Sequence, residues 1–181
     1  MKITLAGVPG SGKSTLRKTL AHRFKLDIKG TGDFMRKKAQ EHGYNDITSF
    51  VKEYVSQHPE VDREIDEAQK KFGEENDNFV LDAHIGFLFV PDSIKIFLQC
   101  DPKVMAKRIL DANRATEAAR DLQAAIEATQ TRMSSMRENF KKLYDVDMHD
   151  EKNFDFVLDT TKLTPEEVFQ TVVEYIESRT S

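Results

Sequence analysis

The sequence predicts an α/β fold: a parallel sheet with helices on both faces. Three observations predict it. Five short β-rich runs recur along the chain, at Lys2–Ala6, Leu26–Lys29, Asn78–Asp82, Ile94–Leu98 and Phe154–Leu158. Most are apolar on both faces, as strands buried between two helical layers are. Segments of helical periodicity separate them, and this alternation builds parallel strands. At 181 residues the chain suits one domain, residues 1–181, with one sizeable core and room for small insertions. No repeat, low-complexity tract or Pro/Gly linker divides it.

The first strand runs straight into G-V-P-G-S-G-K-S-T, residues 7–15, which opens the amphipathic segment Leu16–Phe24. Gly7-x4-Gly12-Lys13-Ser14 is a complete P-loop pattern in the strand-to-helix setting it requires. Gly7, Gly10 and Gly12, with Pro9, Ser11 and Thr15 between and after them, let the backbone curl so that its N–H groups face phosphate oxygens. The helix N-terminus adds positive potential. Lys13 is placed to reach β- and γ-phosphates, and Ser14 offers a hydroxyl to Mg²⁺. This is a nucleotide site.

The second strand leads into T-G-D-F-M-R, residues 31–36. Asp33 is placed to cap the following helix. Arg36 puts a cation in a first helical turn, which the helix dipole does not favour. It is either a grip for an acceptor phosphate or a plain surface residue. The rest of the connection 30–77 reads as helices at Phe34–Glu41, Ile47–Gln57 and Asp62–Glu75, the last two broken by His58-Pro59-Glu60. Asp62, Asp66 and Gln69 share one helical face. A carboxylate and an amide match the amino donor and ring acceptor of cytosine; the other reading is a solvated acidic face.

The third strand ends at Asp82, either a holder of Mg²⁺-bound water or a strand-end cap. Residues 102–145 read as one or two long helices, in which Leu122, Ile126, Thr129, Met133, Met136, Phe140 and Leu143 follow alternating 4,3 spacing. That stripe is expected to face the core, because a dimerising coiled coil usually needs more heptads. The long connections follow the second and fourth strands. Ligands in open α/β sheets bind beyond the carboxyl ends of strands, so both connections are expected to fold over one site.

Charge is distributed unevenly. The formal net charge is −4, yet residues 1–40 carry +8 and residues 41–92 carry −9. A basic segment around the phosphate loop fits a small anionic ligand better than a nucleic acid. No apolar run approaches the roughly 20 residues of a membrane span, and the start of the chain has no signal-peptide pattern. Cys100 is the one cysteine, which excludes an intramolecular disulfide and suits a reducing cytoplasm.

The P-loop also occurs in switch GTPases and ATPase motors. No N-K-x-D guanine motif is present, and the third strand ends in one acid where a Walker B strand carries two. The P-loop followed by T-G-D-F-M-R resembles instead the nucleoside monophosphate kinases, where such a segment grips the monophosphate. Residues 58–71, H-P-E-V-D-R-E-I-D-E-A-Q-K-K, and residues 132–147, R-M-S-S-M-R-E-N-F-K-K-L-Y-D-V-D, followed by F-D-F-V-L-D-T-T, resemble the archaeal-type cytidylate kinases. The likeness covers nearly the whole chain.

That resemblance implies an adenylate-kinase-like P-loop fold with strand order 2-3-1-4-5. It implies ATP and Mg²⁺, with CMP or dCMP as acceptor, and a monomer. Residues 30–77 become the monophosphate-binding part, and about 111–135 a short lid. Lys13, Arg36, Arg132 and Asp82 become the catalytic set, with Ser14 and Asp82 at the metal. Arg108 joins the P-loop on the ATP side. Asp33, Arg36, Asp66, Gln69, His84 and Arg137 become the acceptor side. Among the lid arginines, Arg132 matches best through Arg132-x-x-Ser135, with Arg120 and Arg137 as further candidates and Arg114, like Arg108, nearer the adenine side. On an unbroken helix Arg132 and Arg137 stand about 140° apart, so both cannot face one ligand.

One departure bears on the acceptor. After the third strand the family carries an acid-Gly-Arg or D-G-x-P-R segment, whereas this chain has Asp82-Ala83-His84-Ile85-Gly86. Asp82-x-His84 resembles a small atypical class of adenylate kinases, which makes AMP the alternative acceptor. The missing arginine also leaves open a nucleotide-binding ATPase that has lost its acceptor site.

Overall fold

The computed structural model describes residues 1–112 and 122–180. Five parallel strands, β1 (Lys2–Gly7), β2 (Asp27–Gly30), β3 (Phe79–Asp82), β4 (Ile94–Gln99) and β5 (Phe156–Asp159), lie in the order β2-β3-β1-β4-β5. Each expected strand is present with its ends moved by one or two residues. β5 starts later than expected because Phe154 closes a 3₁₀ turn, Glu151–Asn153, by donating its N–H to the Glu151 carbonyl. Its ring packs on Phe87 and Phe97.

The period-2 alternation of the strands sorts residues to two faces. Register pairs Ile3 with Val80 and Ile94, and Leu5 with Asp82 and Ile96. Ile3, Leu5, Val80, Ile96 and Leu98 therefore point to one face. There α1 (Lys13–Phe24) and α8 (Pro165–Thr180) cover them with Leu16, Leu20, Val172 and Ile176. Phe79 and Leu81 point to the other face, against α5 (Gly86–Phe89) and α7 (Leu122–Tyr144). The α7 stripe packs inward here through Met133, Met136 and Phe140, which decides for core over coiled coil in that half of the helix.

The connection after β2 forms α2 (Thr31–Glu41), α3 (Ile47–Glu53), a 3₁₀ turn Val55–Gln57 and α4 (Glu60–Glu75). It carries a satellite core of Ala39, Phe50, Val61 and Ile65, ringed by Tyr44 and Tyr54. Two expectations need correction. The helix expected over Ile47–Gln57 breaks at Tyr54, whose ring stacks on Phe50 and His58. α2 starts three residues before Phe34, because Asp33 stands at its third position and accepts the Gly30 N–H at 2.9 Å. After β4, α6 (Pro102–Ala112) precedes α7. Part of the expected lid, with Arg114 and Arg120, lies outside the described residues. Among the described residues no helix is long and apolar enough to cross a membrane.

Gly7 ends β1 at φ +145°, and a Cβ there would stand 2.3 Å from the Leu98 carbonyl oxygen. Gly7→Ala is therefore expected to cost at least ~2 kcal/mol, from backbone strain and displacement of β4. Chemical denaturation of the variant beside the parent measures it.

Candidate active site

The loop that follows β1 curls back on itself. Gly12 takes φ +94° at the start of α1, a conformation that favours glycine. The Lys13 ammonium lies inside the curl and donates to the carbonyls of Gly7 and Val8, each at 2.8 Å. Burial holds its pKa below the ordinary range. The Asp82 carboxylate opposes that, and the positive charge of Arg132 adds to it. Ser14 and Thr15 are exposed at the loop's mouth.

A cavity of about 500 Å³ runs from this loop to the segment after β5. Its lining includes Pro9, Gly10, Ser11, Gly12, Lys13, Ser14 and Thr15, together with Arg108, Thr160 and Leu163. That is a volume for a nucleoside-sized ligand. Arg108 forms one wall. Its guanidinium donates to the carbonyls of Thr160 at 2.9 Å, Leu163 at 3.3 Å and Gly10 at 3.4 Å. The buried Thr160 hydroxyl sits against the carbonyls of Ser11 and Gln99, at 3.2 and 2.9 Å.

On the other side of the loop the ends of β2 and β3 come together. Asp82 is paired with Arg17 at 3.3 Å. Burial raises its carboxyl, Lys13 and Arg17 oppose the rise, and Asp33 adds to it. Asp33 accepts the Gly30 N–H with one oxygen and Arg36 with the other, at 2.5 Å. His84 lies half-buried within the fields of Lys13, Arg132 and His149. Burial first, then those charges, pushes its imidazole down to about 4, so the ring is neutral at pH 7. Lys13, Asp82, His84 and Arg132 thus converge from three elements and one loop.

The α4 face is engaged within the protein. Asp66 accepts from the Tyr144 hydroxyl and from Gln69 at 3.1 Å. Gln69 is 1% exposed, and its carbonyl oxygen accepts from Thr31 at 3.0 Å. Burial pushes the Asp66 carboxyl up to about 6, against the Tyr144 hydrogen bond and with the charge of Asp62. Arg137 is turned away from this group, as the 140° interval on a continuous α7 requires, and pairs with Asp147.

Arg17 was not singled out by the motif pattern. Its one sequence signal is spacing: it stands four residues after Lys13 on α1, and so on the same helical side. Tyr144 carried no local signal, because its partner Asp66 is 78 residues away.

Residues 3–127 match the AAA domain family. The cytidylate kinase of Archaeoglobus fulgidus is 29% identical, over 98% of this chain and 95% of the relative. That of Methanocaldococcus jannaschii is 31% identical over 98% of each. An S-adenosylmethionine-dependent nucleotide dehydratase of Lacinutrix mariniflava is 34% identical over 96% of this chain, which spans 35% of that relative's length. Among solved structures, an uncharacterized protein from Eubacterium ventriosum superposes with a TM-score of 0.75 at 15% identity, covering 98% of this chain and 99% of that one. The shikimate kinase of Aquifex aeolicus does so at 0.61 and 18%, covering 99% and 98%. At such identities the likeness is one of fold.

The two shifted groups give opposite pH dependences. The folded His84 value lies below the ordinary 6.5. Its contribution to stability is therefore complete above 6.5 and lost as pH falls towards 4. Asp66 is raised from 3.8 to about 6, so its burial costs nothing below 3.8 and costs progressively more as pH rises through 6. His84→Asn is expected to remove about 1.5 kcal/mol of the stability loss between pH 6.5 and 5. Asp66→Asn is expected to gain about 1 kcal/mol at pH 8, after discounting for partial exposure, and nothing at pH 3.5. Denaturation midpoints across that range check both signs.

Proposed function

The chain belongs to the AAA domain family and to the sequence family of the archaeal cytidylate kinases, and from that premise we propose that it transfers the γ-phosphate of ATP to a nucleoside monophosphate, CMP or dCMP. One observation carries the reading. The P-loop lysine shares its electrostatic surroundings with Arg132 of α7, while Asp33 and Arg36 follow the end of β2, one strand beyond β3 from the P-loop's own strand. A site that hydrolysed or merely sensed ATP has no need of a second phosphate grip beside the first.

The donor's polyphosphate lies in the P-loop, where Lys13 leaves its two carbonyls for phosphate oxygens. The nucleoside end of ATP fills the cavity walled by Arg108 and Thr160. The acceptor's phosphate faces Arg36, and its base faces the side of α4 that carries Asp62 and Asp66. Arg132 supports the charge that spreads over the transferring group. The acceptor is already an anion, so no strong general base is required. Arrangement and charge neutralisation supply most of the rate.

The donor set fits Mg²⁺. Asp33 stands near enough to disfavour the charge of Asp82, which an added cation relieves. Ser14 is exposed beside the P-loop. The Ser14 hydroxyl and, through water, Asp82 would hold the ion, which neutralises charge on the β- and γ-phosphates when bound.

An assay of ADP release with ATP against CMP, dCMP, UMP, AMP and GMP tests the reading. Transfer is expected to be fastest with CMP or dCMP. Fastest transfer with AMP selects the atypical adenylate kinase reading, and turnover indifferent to every monophosphate selects an ATPase. Lys13→Ala is expected to lower transfer at least ~100-fold with the fold intact; retained transfer refutes the P-loop assignment. Asp66→Ala is expected to raise KM for CMP about tenfold while leaving KM for ATP unchanged. Equal effects on both KM values remove α4 from base recognition.

A further inference from the structure

The geometry points to Arg17 as a second guanidinium for the acceptor's phosphate, sharing it with Arg36. This rests on the kinase reading above and assigns a residue to it that no motif marks.

Arg17 stands one turn after Lys13 on α1 and so looks towards the P-loop's acceptor side. Its Nη1 donates to Asp82 at the end of β3. The same nitrogen abuts the end of β2: a Cβ built on Gly30 would lie 3.3 Å from it. A glycine there gives the guanidinium its room. Asp33 and Arg36 follow Gly30 within six residues, and Asp33 acts on Asp82. β2 and β3 pair at Gly30 and Asp82, and a Cβ built on Gly32 would lie 3.6 Å from Arg36 Nη1, so both guanidiniums stand by the carboxyl ends of these two strands.

Arg17 is poorly satisfied where it is. Its Nε is buried without a hydrogen-bond partner. Its ion pair with Asp82 is 3.3 Å long, where charge-assisted pairs usually close to about 2.7–2.9 Å. A guanidinium with five donors, one long bond and a buried unpaired N–H gains by moving onto a stronger acceptor. A phosphate dianion bound at these strand ends is such an acceptor, and matches the guanidinium fork.

The charge balance asks for it. A bound monophosphate brings nearly two negative charges to strand ends where Asp33 already acts on Asp82. Lys13 is committed to the donor's phosphates. After β3, where a cation would serve, Ala83–Phe89 carries no lysine or arginine. Arg36 alone, itself paired with Asp33, leaves the acceptor phosphate under-compensated. Arg17 supplies the missing charge from α1.

The test compares a phosphorylated ligand with its unphosphorylated form. Dissociation constants for CMP and for cytidine are measured by calorimetry, with a non-hydrolysable ATP analogue in the donor site. The pair becomes AMP and adenosine if the ADP-release assay selects AMP. Arg17→Gln is expected to weaken the monophosphate about 10- to 100-fold and to leave the nucleoside within about twofold. Arg17→Lys is expected to restore part of the loss, because it keeps the charge without the fork. Equal weakening of both ligands overturns the inference. So does an effect confined to the ATP analogue, which is what a mere counter-ion of Asp82 would give. Should Arg17→Gln not fold, as judged by thermal melting, Arg17→Lys decides by the same comparison: a loss of about fivefold or more for the monophosphate alone supports the inference, and no selective loss overturns it. Wild-type protein that binds no nucleoside monophosphate refutes the kinase reading itself. Wild-type protein that binds one with Arg17 indifferent refutes only this assignment.

Discussion

The close approach of β1 and β4 at Gly7 is the constraint on which the site depends. Gly7 packs its bare Cα on the Leu98 backbone, and the next residue, Val8, donates its N–H to the Leu98 carbonyl at 3.1 Å. With no side chain to push the strands apart, the chain can leave the sheet in a tight curl and enter α1 through Gly12. That curl places the carbonyls of Gly7 and Val8 around Lys13. From the far side, Thr160 after β5 ties its hydroxyl to the Ser11 carbonyl. Central β1 is thus held on one side by β3, on the other by β4, and its loop is held by the segment after β5. The cavity beside Arg108 follows from that strapping.

The acceptor side obeys a different physics, that of charge under partial burial. Asp82 is paired with Arg17 and Asp33 with Arg36, and Lys13 and Asp33 both act on the Asp82 carboxyl. Burial and like charge raise the Asp82 carboxyl; the neighbouring cations oppose both. Such a set is close to balance without ligand and changes its balance when phosphate charge arrives. Lys13 shows the same physics: its ammonium is desolvated and donates to two backbone carbonyls, which are weaker acceptors than phosphate oxygens.

Legibility in the sequence tracked how local the physical cause was. The P-loop was readable because glycine conformation, helix dipole and lysine reach act within nine residues. The strands were readable from apolar runs and the helices from periodicity, to within a residue or two at most ends. The break at Tyr54 was not, since ring stacking against Phe50 and His58 overrode a continuous helical pattern. The early start of α2 was hidden because Asp33 looks like a cap from sequence and acts from the third helical position. Arg17 and Tyr144 were not readable as site residues at all: each acquires its meaning from a partner more than 60 residues away. The strand order entered through family resemblance, and the registers β1–β3 and β1–β4 bear it out.

The link between Tyr144 and Asp66 gives α7 a double role. Arg132 and Tyr144 are 12 residues apart on one continuous helix, which spans about 18 Å. At one end the helix sets the field at Lys13 and His84. At the other it grips α4 through Asp66, which in turn holds Gln69, and Gln69 holds Thr31 at the start of α2. Met133, Met136 and Phe140 pack its middle onto the core. The helix is thus anchored along its length, to the core in its middle and to α4 at its end. The connection after β2 and the helix after β4, far apart in sequence, are thereby parts of one frame around the P-loop.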